Sequence, residues 1–473
     1  MNIEAFLKIE KDYSLYTKQC KGVYYWNYVR MAVWNYKLCL VGNDLQQAHE
    51  IQKYTLKQKM KKIVGLLNKF MFRGHIPKQV NILFLPHERR TKADVYKCIY
   101  TDDIASSFPN SFMLDIPYEY EHFSPESDVA RMYIDYILII GNVLQRIHKK
   151  LRTSLYKFFR SEIEKELTGP LSEMINAYHL KIEVQEIVQF AVDKALIIYF
   201  EYGFYVKLLD RLNPKLIVET VYYNRHNMMI NEIAKKKNIT TIELQHGTMH
   251  SEHAAYQFAS GIEPIPQLAD KIFLFSDFWK RYIHLPIEDK NLISTGFPYF
   301  DQQRKKYNIK RDQGTVKNIL FVSQGTIGLE LSKLAVELRG ILPKEHYRIF
   351  YKLHPAEYSI WRGKYKWLED CGIEVIDSPA KNIYEFFSLC DVQVGVYSTA
   401  LYEGLGFGLL TLIYNIGHAN TMQELVDEGF AKFFEDSRQL ADLLMNGSRQ
   451  KDNISFWKEN AFKNVRCEIN KLL

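Results

Sequence analysis

A chain of 473 residues is too long for one ordinary hydrophobic core and implies two or three domains. Its composition, 47% hydrophobic and 25% charged, is that of a soluble globular protein. The formal charge of +7, from 62 basic and 55 acidic residues, is a mild bias toward anionic partners and too small to argue for nucleic acid.

The opening MNIEAFLKIEKDY is charged and lacks the apolar region of a signal peptide. Six cysteines (20, 39, 98, 371, 390 and 467) are scattered without a CxxC, the usage of a reducing compartment. The most apolar run, YIDYILIIGNVL (133–144), is too short to span a bilayer and contains Asp135. These features predict a cytoplasmic protein, at most on the cytosolic face of the inner membrane. The first 78 residues are expected to form a helical extension. Within them KQKMKKIVGLLNKFMFR (57–73) mixes basic and apolar residues, as does HKKLRTSLYKFFR (148–160). Such segments suit an anionic bilayer surface, and equally a solvated helix docked on its own core.

VNILFLP (80–86) predicts a buried strand, followed by the polar loop HERRTKAD (87–94). Glu88, Arg89 and Arg90 are candidates to meet an acidic acceptor; the plain alternative is a solvated charge run. A helical stretch rich in aromatics fills roughly 125–212. From 213 the pattern sharpens. NPKLIVETVYY reads as a strand, RHNMMINEIAKKK as a helix with a basic last turn, and NITTIELQHG as a second strand, together a βαβ unit. DKIFLFSDFWKRYI (270–283) adds a strand and a helix, and NLISTGFPYFD (291–301) a short strand. QQRKKYNIKRDQGTVK (302–317) has no apolar period and reads as a linker.

A second rhythm follows. Strands are expected at 318–325, 347–355, 373–379, in DVQVGVYST and finally in LLTLIYN, with helices between and after them. The expected organisation is therefore α/β: residues 1–78 as the extension, 79–305 as an N-terminal Rossmann-like acceptor domain, and 306–473 as a C-terminal Rossmann-like nucleotide-sugar domain with a terminal helix. Two doubly wound domains predict a cleft, with ligands beyond the carboxyl ends of the strands.

Those strand ends carry the candidate chemistry. SQGTIG (323–328) is a small-residue loop opening a helix, where Gly325 and Thr326 could hold a phosphate; any βα turn favours such residues. In KLHP, Lys352 and His354 alternate onto one side of a strand end, and a cation with an imidazole suits a phosphate oxygen. In YSTALYEGLGFG, Ser398 and Thr399 stand at a helix N-terminus, where hydroxyls cap the helix or bind an anion. Glu403, about one turn deeper, could receive two ribose hydroxyls. The glycines there follow a helix start rather than a strand, so the dinucleotide fingerprint is not met. The strand TTIEL ends in Gln245-His246-Gly247, which would present His246 as a general base or as a donor to an anionic leaving group. His246, His250 and His253 would converge on a metal only on a helix, which Gly247 and Thr248 directly after a strand argue against.

ELQHGT (243–248) with His250, His253 and Tyr256, FSDFWK (275–280), TGFPYFD (295–301), KLHP (352–355) and YSTALYEGLGFG (397–408) resemble bacterial surface-polysaccharide glycosyltransferases of GT-B fold. These are the capsule, lipopolysaccharide and sialyltransferase-like enzymes, near the glycerol-phosphate polymerases of teichoic acid synthesis. The resemblance covers roughly 210–430. It implies that His354, Ser398 and Thr399 hold the phosphate of a CMP- or UDP-sugar donor, and that His246 faces that donor from the other domain. It further implies a surface glycan or lipid-linked acceptor and no metal or other cofactor, in keeping with the absence of an Asp-x-Asp motif near a strand end. The polymerases carry Trp-His-Gly and Asp-Tyr-Ser-Ser where this chain has Gln-His-Gly and Val-Tyr-Ser-Thr, which weighs against CDP-polyol phosphate transfer. Two other readings stand beside these. A nucleotide-sugar epimerase would need paired acid/base groups, and the sequence offers no convincing pair. A non-catalytic scaffold of glycan assembly could keep the same fold.

Overall fold

A computed structural model describes residues 3–38, 76–87, 95–116, 122, 124–178, 182–307, 316–447, 450–451 and 456–473. The basic segment 57–73 and the residues Glu88, Arg89 and Arg90 lie outside the described residues. The chain forms two compact units. Unit 1 runs to Leu274 and includes Tyr282–Thr295 and Phe462–Leu473; unit 2 comprises Phe275–Arg281 and Gly296–Ala461.

Unit 1 is organised on an all-parallel sheet of seven strands: β1 (Ile82–Leu85), β3 (Ser111–Asp115), β5 (Arg131–Tyr133), β6 (Leu216–Thr220), β7 (Thr240–Leu244), β8 (Lys271–Leu274) and β9 (Leu292–Ser294). A separate two-strand ladder pairs β2 (Val95–Tyr96) with β4 (Ser124–Pro125). The spatial order is β5-β3-β1-β6-β7-β8-β9. The runs ILFL and LIVET are buried throughout, as strands covered on both faces must be. Ile82, Phe84, Leu216, Val218, Ile242 and Phe273 form the core beneath one face. Helix α1 (Ile3–Asp12) lies in the N-terminal region, and α2 (Asp135–Lys150), α3 (Ser154–Tyr178) and α4 (Val184–Leu212) fill the crossover from β5 to β6. Helix α5 (Arg225–Lys236) completes the expected βαβ unit; the Asn224 side chain caps it by accepting from the backbone N–H groups of His226 and Asn227, each at 2.9 Å.

Unit 2 carries a parallel sheet of six strands: β10 (Lys317–Val322), β11 (Tyr347–Lys352), β12 (Glu374–Ile376), β13 (Val392–Gly395), β14 (Leu410–Tyr414) and β15 (Lys432–Phe434), in the order β12-β11-β10-β13-β14-β15. Its helices include α6 (Pro298–Lys306), α7 (Gly328–Ile341), α8 (Ile383–Leu389) and α9 (Thr399–Gly406). A Cβ on Gly404 would stand 2.0 Å from the Gln393 side chain, so this glycine lets α9 close against β13. In both sheets the strand order reverses beside the first strand, between β1 and β6 and between β10 and β13, and ligands of such sheets sit at that reversal.

Several expectations are corrected. The supposed linker 302–317 is helical over 302–306, because Pro298 at the first helical position starts α6 earlier. FSDFWK forms a 3-10 turn, Asp277–Tyr282, rather than an α-helix. LLTLIYN is not the final strand, since β15 follows it. The units also differ from the expected division at 305/306: unit 2 takes in Gly296, and the last helix, α10 (Ala461–Asn470), belongs to unit 1, where Val465 and Ile469 join the core.

Candidate functional site

In unit 2 the loops after β10, β11 and β13 are bonded to one another at the reversal. The Glu357 carboxylate, 1% exposed, is the hub. Its Oε1 accepts from the Tyr365 hydroxyl at 2.7 Å and from Ser323 Oγ at 3.2 Å; its Oε2 accepts from the His354 backbone N–H at 2.8 Å. His354 Nδ1 accepts from the Ala356 N–H at 3.2 Å, so His354 and Glu357 form a capping box around the turn Pro355–Glu357. With Nδ1 as acceptor, the neutral ring carries its proton on Nε2, and the residue is exposed. Gln324 Oε1 accepts from the Tyr397 N–H at 3.3 Å, and the Thr326 and Tyr397 hydroxyls are hydrogen-bonded, which ties the β10 loop to the β13 loop.

Among the residues singled out in the sequence, Gly325 and Thr326 are exposed in the first of these loops. A Cβ on Gly325 would meet nothing within 4 Å, so no contact of the protein itself requires glycine there. Ser398 is the N-cap of α9, its Oγ accepting from the Ala400 N–H at 3.2 Å; Thr399 opens that helix and Glu403 lies farther along it, all three half-buried. Lys352 departs from the simple picture of a side chain shared with His354. It is 7% exposed, and Nζ donates to the Tyr358 hydroxyl at 2.6 Å. Desolvation lowers its pKa to about 8. Sequence reasoning missed Gln324, Tyr397 and Glu357. The last was legible as the fourth residue of HPAE, the spacing of a capping box.

In unit 1 the loops after β1, β6 and β7 also meet. His246 is half-buried just beyond β7. Its Nε2 is 3.2 Å from the Tyr223 hydroxyl, its ring stacks on His87 at 5.9 Å between centroids, and its carbonyl accepts from the Tyr100 hydroxyl at 2.5 Å. Tyr223 is delivered by Val221, whose φ of +59° is a strained conformation for a β-branched residue. His253, half-buried, packs on Tyr223 and Tyr256 at 5.5 and 4.9 Å; desolvation, then His250, lowers its pKa to about 3, so it is neutral. Among the described residues no group of three or more His, Cys, Asp or Glu could hold a metal ion.

The loop carrying these residues is held from behind. Arg30, buried, forms a bidentate pair with Glu10 of α1 at 2.7 and 2.8 Å and donates to the carbonyls of Ala254 and Gln257 at 2.5 and 3.0 Å. Trp34 Nε1 donates to the Glu252 carbonyl at 3.2 Å. Beneath the loop, Glu219 and Glu243 are register partners on β6 and β7, both fully buried. Asn231 Nδ2 donates to Glu219 at 2.7 Å; the Tyr256 hydroxyl and the Tyr222 N–H donate to Glu243 at 2.7 and 3.1 Å. Desolvation raises the Glu243 carboxyl to about 7, and raises Glu219 well above the usual range with Glu243 as the next cause. His87, Tyr100, Tyr223 and this carboxyl pair were not read from the sequence, because only the strand order brings them together.

No protein-family model matches the chain, and no curated protein matches it. Solved structures do. The UDP-GlcNAc 2-epimerase of Methanocaldococcus jannaschii is 9% identical, with a TM-score of 0.48 over 83% of this chain and 99% of that one. S. aureus MnaA, solved with UDP, is 10% identical, with a TM-score of 0.47 over 83% and 98%. The wall teichoic acid polymerase TagF is 12% identical, with a TM-score of 0.42 over 89% and 98%. These likenesses concern fold alone. The fold itself, read from its strand order, is α/β with two doubly wound parallel sheets.

Proposed function

We propose that the protein is a glycosyltransferase that moves a sugar from a CMP- or UDP-activated donor to a bacterial surface glycan or its lipid-linked precursor. The observation that carries this reading is the bonded set of three loops at the reversal of the unit 2 sheet. Departure of a nucleotide concentrates negative charge on its phosphate, and donors fixed in advance stabilise that charge without reorganising. The loops offer such donors: the His354 Nε2–H, the hydroxyls of Ser398 and Thr399, the backbone N–H groups of Gly325 and Thr326, and the Lys352 ammonium. Glu403 receives the ribose hydroxyls. His246, with Tyr223 on its Nε2, is the base for the acceptor hydroxyl or a proton donor to the leaving group. Glu88, Arg89 and Arg90 recognise the acceptor.

A nucleotide panel read by thermal shift tests the reading. CMP or UDP should raise the melting temperature. Stabilisation by CDP in their place would move the assignment to CDP-polyol phosphate transfer, and no response to any nucleotide would contradict a donor site altogether.

A further inference from the structure

We infer that the hairpin of α2 and α3 is a docking surface for an anionic phospholipid bilayer. Residues 136–161 contain six Lys and Arg and no Asp or Glu, so these 26 residues hold six of the chain's formal +7. The same segment holds four of the large apolar side chains that unit 1 exposes. Val143, Ile147 and Leu151 recur every fourth residue along one edge of α2 and its end, with exposures of 45, 46 and 68%. Phe158 on α3 is 44% exposed, and the ammonium of Lys21 stands 4.7 Å over its ring. Ring contacts from Phe158 through the buried Phe159 and through Tyr199 and Phe200 of α4 to His148 seat both helices on α4.

The cations divide into two sets. Lys149 is paired with Asp193 of α4 at 2.6 Å, and Arg160, paired with Glu164 of its own helix at 3.3 Å, also donates to Gln189 of α4 at 2.6 Å, so both cations are engaged within their own unit. Arg146, Lys150, Arg152 and Lys157 are exposed and have no acidic partner among the described residues. Exposed apolar side chains ringed by unpaired cations fit a surface that offers both anionic headgroups and a hydrocarbon boundary. A soluble polyanion would use the charges and leave the apolar edge in water. A second copy of the same face would repel it, and so would the chain's own segment 57–73, which is basic as well. No described helix is long and apolar enough to cross a membrane, so the contact is one of docking.

The test is co-sedimentation of the full chain with phosphatidylcholine vesicles, with and without phosphatidylglycerol. Binding should require phosphatidylglycerol and should weaken with salt as the headgroup charge is screened. The double variants Ile147→Asp/Leu151→Asp and Lys150→Glu/Arg152→Glu should each lower vesicle binding by about tenfold or more, with thermal melts unchanged because all four side chains are exposed. Wild-type binding by both variants, or equal binding to both vesicle types, would overturn the inference. So would loss in the charge variant alone, which would mark a polyanion site in place of a bilayer surface.

Discussion

The two units repeat one sheet plan but hold their strand-end loops in different ways. In unit 2 the holding contacts stay within the unit: His354 bonds two and three residues ahead, Ser398 caps its own helix, Glu357 gathers Ser323, His354 and Tyr365, and Gln324 accepts from Tyr397. In unit 1 the loop after β7 depends on residues more than two hundred positions away, with Arg30 on the carbonyls of Ala254 and Gln257. Unit 2 should therefore tolerate changes in the N-terminal region, whereas the unit 1 loop should not. Glu10 and Arg30 are therefore part of the scaffold of the loop that follows His246.

The largest expected effects are at the two histidines. His246→Ala and His354→Ala should each lower transfer by roughly 10²–10⁴-fold with the fold intact. Only His354→Ala should also weaken nucleotide binding; equal turnover in both variants and wild type would remove the assignment. Next comes Arg30→Met, which leaves Glu10 buried and uncompensated and should reduce unfolding free energy by roughly 3–5 kcal/mol in denaturant titration. Arg30→Lys should recover only part of this, since an ammonium cannot reproduce the planar fork. Nucleotide affinity should survive both changes if unit 2 is self-contained. Glu357→Ala makes the converse cut: it releases the His354 N–H and Ser323 Oγ and should weaken nucleotide binding about tenfold, roughly 1–3 kcal/mol.

The smallest effect concerns pH. Glu219 and Glu243 hold protons more tightly in the fold than in the unfolded chain, so folding takes up protons above the usual carboxyl range, for Glu243 up to about 7. Their contribution to stability is therefore most favourable below that window and falls as pH rises through it. Glu243→Gln should flatten this slope and raise the melting temperature at pH 8 by about 2–4 °C. A melting temperature lower at pH 8 than that of wild type would show that the pair is not strained by its second charge.

Much of the architecture was readable because it is locally written. Mainly apolar runs bounded by turn residues marked β1, β6, β7, β10 and β11, and a basic last turn marked α5. Among the strands that escaped notice, RMY at β5 and KFF at β15 have three residues each, too few for any period to show, while SFMLD at β3 has five and was missed as well. The unit 2 candidates were legible since a βα loop carries its own small and polar residues. The surroundings of His246 were not, because β1, β6 and β7 lie side by side only after the chain has made the long crossover through α2, α3 and α4. A sequence shows Tyr223 and His246 as residues 23 positions apart, whereas the sheet sets the hydroxyl 3.2 Å from the imidazole.

The most direct measurement is a calorimetric titration of UDP and CMP into the wild-type protein, His354→Ala and His246→Ala. The account predicts saturable binding of one of these nucleotides, weakened about tenfold or more in His354→Ala, as for a lost hydrogen bond to a charged phosphate, and unchanged in His246→Ala. Binding that is absent in the wild type, or equally strong in His354→Ala, would contradict it.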